Sequence, residues 1–479
     1  MQATAVGELD ILARQRVLYE VSKQKNHRMN GQLTMRINKP RTSKMSVAKV
    51  QTISDSIGSI FDKRSLAQQI LDIQSVYLQS TVPWVIMTSL GKDSTATLQL
   101  IWSAIEALPA KLRKNHLYVV AGDTLIELPA FAARIDSILM QVNVSAKTKG
   151  LPISAHKTIP AVSDRMWTCV VGRGYGMPTA RFRWCTSRLK STPNERFVKD
   201  HIVKSGQVVM VLGVRSAESA ARAASIKKHR IDSTFSRSAT MPGALVYTPI
   251  SDWTTDDVWT YLLQVQSPWG ASNRDLLALY RQASTAGECP IVVGDIGKGQ
   301  ACGNSRFGCF PCTVSSGNQS LLNIVDQEPW MEPLWDIYEW LRETTKPERK
   351  LEFREINATP SIVAQKKQRQ DGSAIPGRYK LNFRKKLVRR LLEIQRDLRR
   401  DSPYPGLTLI DDEQLRAIRY LWWVDGLDDG TYIPQIYHEV TGTNLSCAND
   451  PVTDAYLLEK PMQLTQVSLA GFQSSLDLT

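Results

Sequence analysis

The sequence predicts an α/β protein in which a parallel sheet carries helices on both faces, followed by a cysteine-rich insert and a helical C-terminal region. Three observations predict it. Short apolar runs alternate with helix-period segments from residue 56 to residue 214. Four of the seven cysteines then fall within 24 residues, 289 to 312. Beyond them the apolar spacing is helical. Strand–helix alternation of this kind builds βαβ units, whose buried strands read as continuous apolar runs.

The elements follow in order. Residues 56–80 place Ile57, Ile60, Phe61, Leu66, Ile70, Ile73 and Leu78 at helical spacing. Trp84-Val85-Ile86-Met87 reads as a buried strand. Thr95–Leu108 reads as a helix closed by Pro109. Leu117–Ala121 is a second strand ending at Gly122-Asp123-Thr124, and Leu128–Val142 is a further helix. Val208–Val214 is a third strand. Asn382–Arg400 sets Phe383, Leu387, Leu391, Ile394 and Leu398 on one helical face and Arg and Lys on the other. The expected divisions are a basic arm at 1–50, an α/β domain at 51–280, a cysteine-rich segment at 281–330 and a helical region at 331–479.

Composition narrows the function classes. Hydrophobic residues make up 42% and charged residues 22%, as in an ordinary globular chain. No uncharged apolar run reaches the length of a membrane span, and the polar, basic N-terminus lacks a secretory signal's apolar stretch. A cytoplasmic protein is expected, with no membrane partner. The net charge is +14. Residues 1–50 carry ten Lys/Arg against three Asp/Glu, residues 342–400 carry eighteen against seven, and residues 401–479 carry three against twelve. Two basic zones suit a long polyanion such as DNA; the alternative is that they solubilise helix faces. An odd cysteine count argues against a disulfide framework.

Ser89-Leu90-Gly91-Lys92-Asp93-Ser94 lies between the first strand and its helix. Ligands of open α/β sheets bind at that edge, and a helix N-terminus offers free N–H groups to phosphate. Gly91 lets the backbone approach a phosphate, Ser89 and Ser94 add hydroxyls, and Lys92 adds charge. Asp93 suits a metal-bridging or capping role. The loop is not a Walker loop, because Gly-x-x-x-x-Gly-Lys-[Ser/Thr] is absent. Its bland alternative is a helix capped by Ser and Asp.

The hexapeptide resembles the loop of the PP-loop ATP pyrophosphatases, Ser-Gly-Gly-x-Asp-Ser, with Leu90 at a position where many members have glycine. Those enzymes split ATP between the α and β phosphates. Further segments resemble the sulfonucleotide reductase branch: Gly122-Asp123-Thr124, Arg183-Trp184-Cys185-Thr186 with Leu189-Lys190, Gly213-Val214-Arg215-Ser216-Ala217-Glu218-Ser219, and Pro249-Ile250 with Trp253, Asp257, Val258 and Trp259. This resemblance implies an ATP site with Mg²⁺ at Ser89, Gly91, Lys92, Asp93, Ser94, Asp123, Lys190 and Arg215, and a catalytic set of Ser89, Lys92, Asp93, Ser94 and Arg215. Arg215 has a surface pairing with Glu218 as its alternative, and Trp253 and Trp259 read as core.

The cysteines run Cys289-x12-Cys302-x6-Cys309-x2-Cys312. Four thiolates with one close pair suit tetrahedral zinc or a [4Fe–4S] cluster. The stretch from Cys302 to Thr313 resembles the DndC family of bacterial DNA phosphorothioation systems, with the related SspD proteins of single-strand modification. That resemblance implies Cys289, Cys302, Cys309 and Cys312 as ligands of a [4Fe–4S] cluster, with Cys185 able to substitute. It further implies an ATP-dependent sulfurtransferase acting on the DNA backbone, a cysteine desulfurase as sulfur donor, and other phosphorothioation subunits as partners. The rival readings are a sulfonucleotide reductase, a tRNA thiolase and a zinc-bearing DNA-binding protein without catalysis.

Overall fold

The computed structural model describes residues 59–201, 207–218, 220–238, 241, 243–283, 308–314, 317–356 and 376–446. The basic arm at 1–50, Cys289, Cys302, Ser219 and Cys447 lie outside the described residues.

Two helices, α1 (Ile60–Lys63) and α2 (Leu66–Gln79), lead into the sheet. The periodic stretch is broken at Arg64-Ser65 because the Ser65 hydroxyl accepts the Gln68 N–H and starts a new helix. Strand β1 (Trp84–Thr88) follows, then α3 (Lys92–Glu106), β2 (Leu117–Gly122), α4 (Pro129–Thr148), β3 (Ile153–Thr158), α5 (Thr192–His201), β4 (Val208–Leu212), α6 (Ala220–His229), β5 (Phe235–Arg237) and β6 (Ala244–Tyr247). The sheet order is β3-β2-β1-β4-β6-β5. All neighbours run parallel except β5, which pairs antiparallel with β6 at the edge.

Helices cover both faces. Val85, Val120 and Met210 point to one face and pack with Val198 of α5. Their neighbours Trp84, Ile86, Val119, Val209 and Val211 point to the other face, into the cluster that holds Leu98, Ile101 and Trp102 of α3. Burial on both faces explains why the strands carry no polar alternation.

The chain leaves β1 in both directions: β2 and β3 lie on one side, β4 and β6 on the other. That reversal makes the carboxyl ends of β1 and β4 the topological switch point, where the loops part and leave a crevice.

Helices α7 (Thr255–Gln264) and α8 (Asn273–Gln282) close the α/β part, and α7 opens on a capping box between Thr254 and Asp257. The later helices are α9 (Gln319–Val325), α10 (Glu332–Glu343), α11 (Lys350–Phe353), α12 (Leu381–Asp401), α13 (Asp412–Val424) and α14 (Tyr432–Thr441); a small antiparallel pair, β7 (Arg354–Ile356) and β8 (Pro376–Tyr379), precedes α12. This helical region shares one hydrophobic core with the sheet. Arg384 of α12 is buried and donates to the carbonyls of Val171 and Gly172. Trp422 Nε1 of α13 also donates to Val171 O, at 3.0 Å. Arg165 pairs with Asp411 at 2.9 Å and with Glu413 at 2.7 Å.

Candidate functional site

The loop after β1 is built tightly. The helix begins at Lys92, earlier than the expected Thr95, so Lys92, Asp93 and Ser94 form its first turn. Gly91 is the N-cap and provides no side-chain cap. The first-turn N–H groups are therefore not taken by a Ser or Asp cap of the ordinary kind. Ser94 Oγ lies 3.1 Å from Gly91 O and 3.3 Å from Ser89 Oγ, and Ser89 is exposed at the mouth.

Leu90 has φ +54, the left-handed region that glycine occupies without cost. Its side chain is 1% exposed and packs in the core. The backbone position asks for glycine and the surroundings ask for an apolar side chain. The left-handed residue costs about 1–2 kcal/mol, and burying a leucine recovers about 1.5–3 kcal/mol. Burial therefore offsets the strain. Leu125, in the loop after β2, shares the positive φ, and the Asp123 carboxylate accepts its N–H at 2.8 Å.

Charge is concentrated at this turn. Arg215, from the loop after β4, is 2% exposed. Its Nε donates to Asp93 Oδ1 at 2.6 Å, and its other nitrogens reach Trp253 O and Thr255 Oγ1 at 3.3 Å each. Lys92 Nζ meets the second Asp93 oxygen at 2.8 Å. Asp93 thus holds one cation with each oxygen, and Arg215 is no surface partner of Glu218. Breaking a buried pair of this kind costs about 3–5 kcal/mol. The geometry keeps a guanidinium and an ammonium side by side at a helix N-terminus that has no side-chain cap, as an anion with more than one phosphate requires.

Two further residues shape this site. Gly213, at the end of β4, is where two backbones meet: a Cβ there would lie 2.9 Å from the Asp93 carbonyl and from Ser94 Cα. Tyr280 of α8 accepts the Lys92 N–H with its hydroxyl at 3.2 Å, and its ring lies 5.7 Å from Lys92 Nζ. Burial pushes the Tyr280 phenol up to about 12, so it stays protonated. Gly213 was visible inside Gly-x-Arg; nothing in the sequence around Tyr280 marks it.

A second group gathers on the neighbouring strand end, after β2. Phe310 N donates to Ile126 O at 3.0 Å and Cys309 bridges to Glu127, which seats the segment 308–314 on that loop. Thr124 Oγ1 donates to Glu127 Oε1 at 2.8 Å and lies 3.6 Å from Cys309 Sγ. The one hydroxyl proton is committed to Glu127, so the Cys309 thiol is the donor to Thr124. Burial raises the Glu127 carboxyl, against the pull of Lys190. Burial pushes the Cys309 thiol up to about 12. Lys190 is held protonated, first by Cys309 and then by Glu127, Cys185 and Cys312. Glu127, Cys185, Cys309 and Cys312 are half-buried and Lys190 is exposed, so the group lines an open cleft. Lys190 therefore sits with the cysteines, whereas Asp93, Lys92 and Arg215 crowd the first loop. Glu127 carried no motif; its place four residues after Asp123 was the available signal.

Both oxygens of Asp93 are engaged, so the residues at the loop do not fit a protein-held Mg²⁺, and no step is assigned to one. Cys312 N donates to Cys309 O at 3.1 Å in a tight turn, and Cys185 lies within electrostatic reach of Cys312. Thiolate sulfur is the donor that suits a soft metal or cluster. Among the described residues no group of three His, Cys, Asp or Glu is arranged to hold a metal ion.

The basic zone at 342–400 is largely self-compensated. Arg342, Lys346, Arg349, Arg378, Lys385, Arg389 and Arg396 each meet a carboxylate within 4 Å. Acids of the 401–446 stretch supply three of these partners, Asp425, Asp428 and Glu439. No helix among the described residues is long and apolar enough to cross a membrane.

Residues 83–315 match the family model described as the phosphoadenosine phosphosulfate reductase domain. An uncharacterized protein of Methanocaldococcus jannaschii is 24% identical over 267 residues, which is 56% of this chain and 43% of that protein. The chain thus spans less than half the length of this relative. Among solved structures, a phosphoadenylyl-sulfate (PAPS) reductase from Candida auris, in a phosphate complex, aligns over 47% of this chain and 93% of that one, at 15% identity and a TM-score of 0.27.

Proposed function

We propose that this chain, whose residues 83–315 carry a phosphoadenosine phosphosulfate reductase-family domain with a PP-loop-type nucleotide-binding fold, uses ATP to activate a DNA backbone phosphate for sulfur insertion. The observation that carries the ATP half is the Lys92–Asp93–Arg215 group beside the uncapped first turn of α3. The resemblance of the 302–313 segment and the basic N-terminal arm support the DNA half.

ATP lies with its phosphates on Ser89–Ser94. The α3 N-terminus, Lys92 and Arg215 take up the charge that builds on the leaving pyrophosphate. A non-bridging oxygen of a DNA phosphate attacks the α-phosphorus. The new O–P bond forms as the bond to the β-phosphate oxygen breaks, and pyrophosphate departs with that electron pair. A persulfide from a cysteine desulfurase then attacks the DNA phosphorus. AMP leaves with the former DNA oxygen, and a further thiol cleaves the S–S bond, leaving sulfur on phosphorus and a disulfide behind. Cys289, Cys302, Cys309 and Cys312 would hold a [4Fe–4S] cluster, which when bound supplies electron-transfer or sulfide chemistry at the cleft. Lys190 holds positive charge beside the incoming sulfur anion, and Thr124 and Glu127 fix the cleft wall.

The acceptor decides between this reading and a sulfonucleotide reductase. Pyrophosphate release from ATP is measured with DNA, RNA or adenylyl sulfate added. Stimulation by DNA is expected. Thiol-dependent release of sulfite from adenylyl sulfate, with no cleavage of ATP, would replace this reading with the reductase, and stimulation by RNA alone with a tRNA thiolase.

A further inference from the structure

The most exposed aromatic side chain in the described core domain lies beside the cysteine cleft. Phe182 is 64% exposed, and its neighbours Arg181 and Arg183 are exposed as well. The three sit on a tight turn. Thr179 N donates to Phe182 O and Phe182 N to Thr179 O, both at 3.1 Å, which closes a two-residue tip over Ala180 and Arg181. The base of the turn is held firmly. Thr313 Oγ1, one residue past Cys312, donates to Pro178 O at 2.7 Å. On the other side Trp184 is buried, donates to Gly176 O at 3.0 Å and stacks edge-on against Tyr175. Cys185 follows at once.

A single exposed apolar side chain is common and by itself means little. Two further facts separate this one. Among the described residues neither Arg181 nor Arg183 forms an ion pair, whereas the cations of α12 mostly do. The paired hydrogen bonds also fix the backbone of the turn, so ordering the tip on a ligand costs little backbone entropy. An aromatic face between two free guanidinium groups matches a chain of anions that carries flat bases. A duplex hides those faces within its stack; a single strand shows them.

We propose that the Arg181-Phe182-Arg183 tip binds an unpaired stretch of nucleic acid, with a base stacked on Phe182 and the flanking phosphates held by Arg181 and Arg183, and so delivers the backbone to the cysteine cleft. This rests on the DNA reading above, and it names the form of DNA that the site takes: a single strand or a locally opened duplex.

The test is fluorescence anisotropy of the full chain with one labelled sequence as single-stranded DNA, duplex DNA and single-stranded RNA. All three side chains are exposed, so the variants should fold, which a thermal melt checks. Phe182→Ala is expected to weaken single-strand binding about 5- to 30-fold and to leave duplex binding unchanged. Phe182→Trp restores binding because it restores the stacking face, and Phe182→Leu does not. The double variant Arg181→Ala with Arg183→Ala should flatten the salt dependence by about 1.4 in log–log slope, two phosphates at 0.7 each. Equal single-strand affinity of Phe182→Ala and the wild type would overturn the tip's role while leaving the proposed function standing. A wild type that binds no DNA, or prefers RNA, would overturn the DNA reading itself.

Discussion

The two ends of the sheet edge differ in what they leave open. At the phosphate loop every charge already has a partner within the chain: Asp93 holds Lys92 and Arg215, and Tyr280 takes the Lys92 N–H. At the cysteine cleft the thiols of Cys185 and Cys312 are half-buried and Lys190 faces solvent. The loops that carry the two sites leave adjacent strands, with Thr88 opposite Ala121. The difference teaches that the nucleotide end is preorganised by the fold. The sulfur end is the more open of the two to solvent.

The sharpest break in that contrast is Arg215→Ala. It removes a buried cation from the loop and leaves Asp93 with Lys92 alone. ATP-dependent pyrophosphate release should fall about 100- to 1,000-fold, with the circular dichroism spectrum retained. A fall of less than tenfold would mean that the pair is structural.

Leu90→Gly tests the balance inside the loop. Relief of the left-handed leucine returns about 1–2 kcal/mol, and the cavity left behind costs about 2–5 kcal/mol. Lower stability in urea unfolding is the expected result, although the change restores a glycine to a position that asks for one. A more stable variant would show that the side chain contributes little packing.

Tyr280→Phe removes one hydrogen bond, worth about 0.5–1.5 kcal/mol. ATP affinity by titration calorimetry should drop by up to about tenfold. An unchanged affinity would take Tyr280 out of the loop's support.

The smallest effect at the nucleotide end is expected from Cys309→Ser and Cys312→Ser. Each should leave ATP affinity within about twofold, because the contacts of both thiols run to Thr124, Glu127, Cys185 and Lys190 and not to the Ser89–Ser94 loop, while sulfur incorporation into DNA is lost. A tenfold loss of ATP affinity would join the two sites into one.

Much of this was legible in the sequence. Trp84–Met87, Leu117–Ala121 and Val208–Leu212 read as strands because burial on both faces makes them uniformly apolar. Ile153–Thr158 did not, since Ser154, His156 and Lys157 interrupt the run on a strand paired on one side only. The loop was legible because its chemistry is local: helix N-terminus, glycine and hydroxyls lie within six residues. Arg215 needed the resemblance, for its partner Asp93 lies 122 residues away. Tyr280 and the Thr124–Glu127–Cys309 contacts arise only when distant segments meet. The charge run at 342–400 shows composition and not pairing: carboxylates from its own turns and from residues 425–439 meet many of its described cations. Among the described residues Arg181 and Arg183 form no ion pair.

One measurement bears most directly on the chemistry proposed for Ser89–Ser94. ATP labelled at the α-phosphate is incubated with the protein and DNA, without sulfur donor, and the products are separated. The expected result is label in AMP joined to DNA, with unlabelled pyrophosphate released and the signal absent in Asp93→Ala. Label recovered in ADP, or never on DNA, would contradict it.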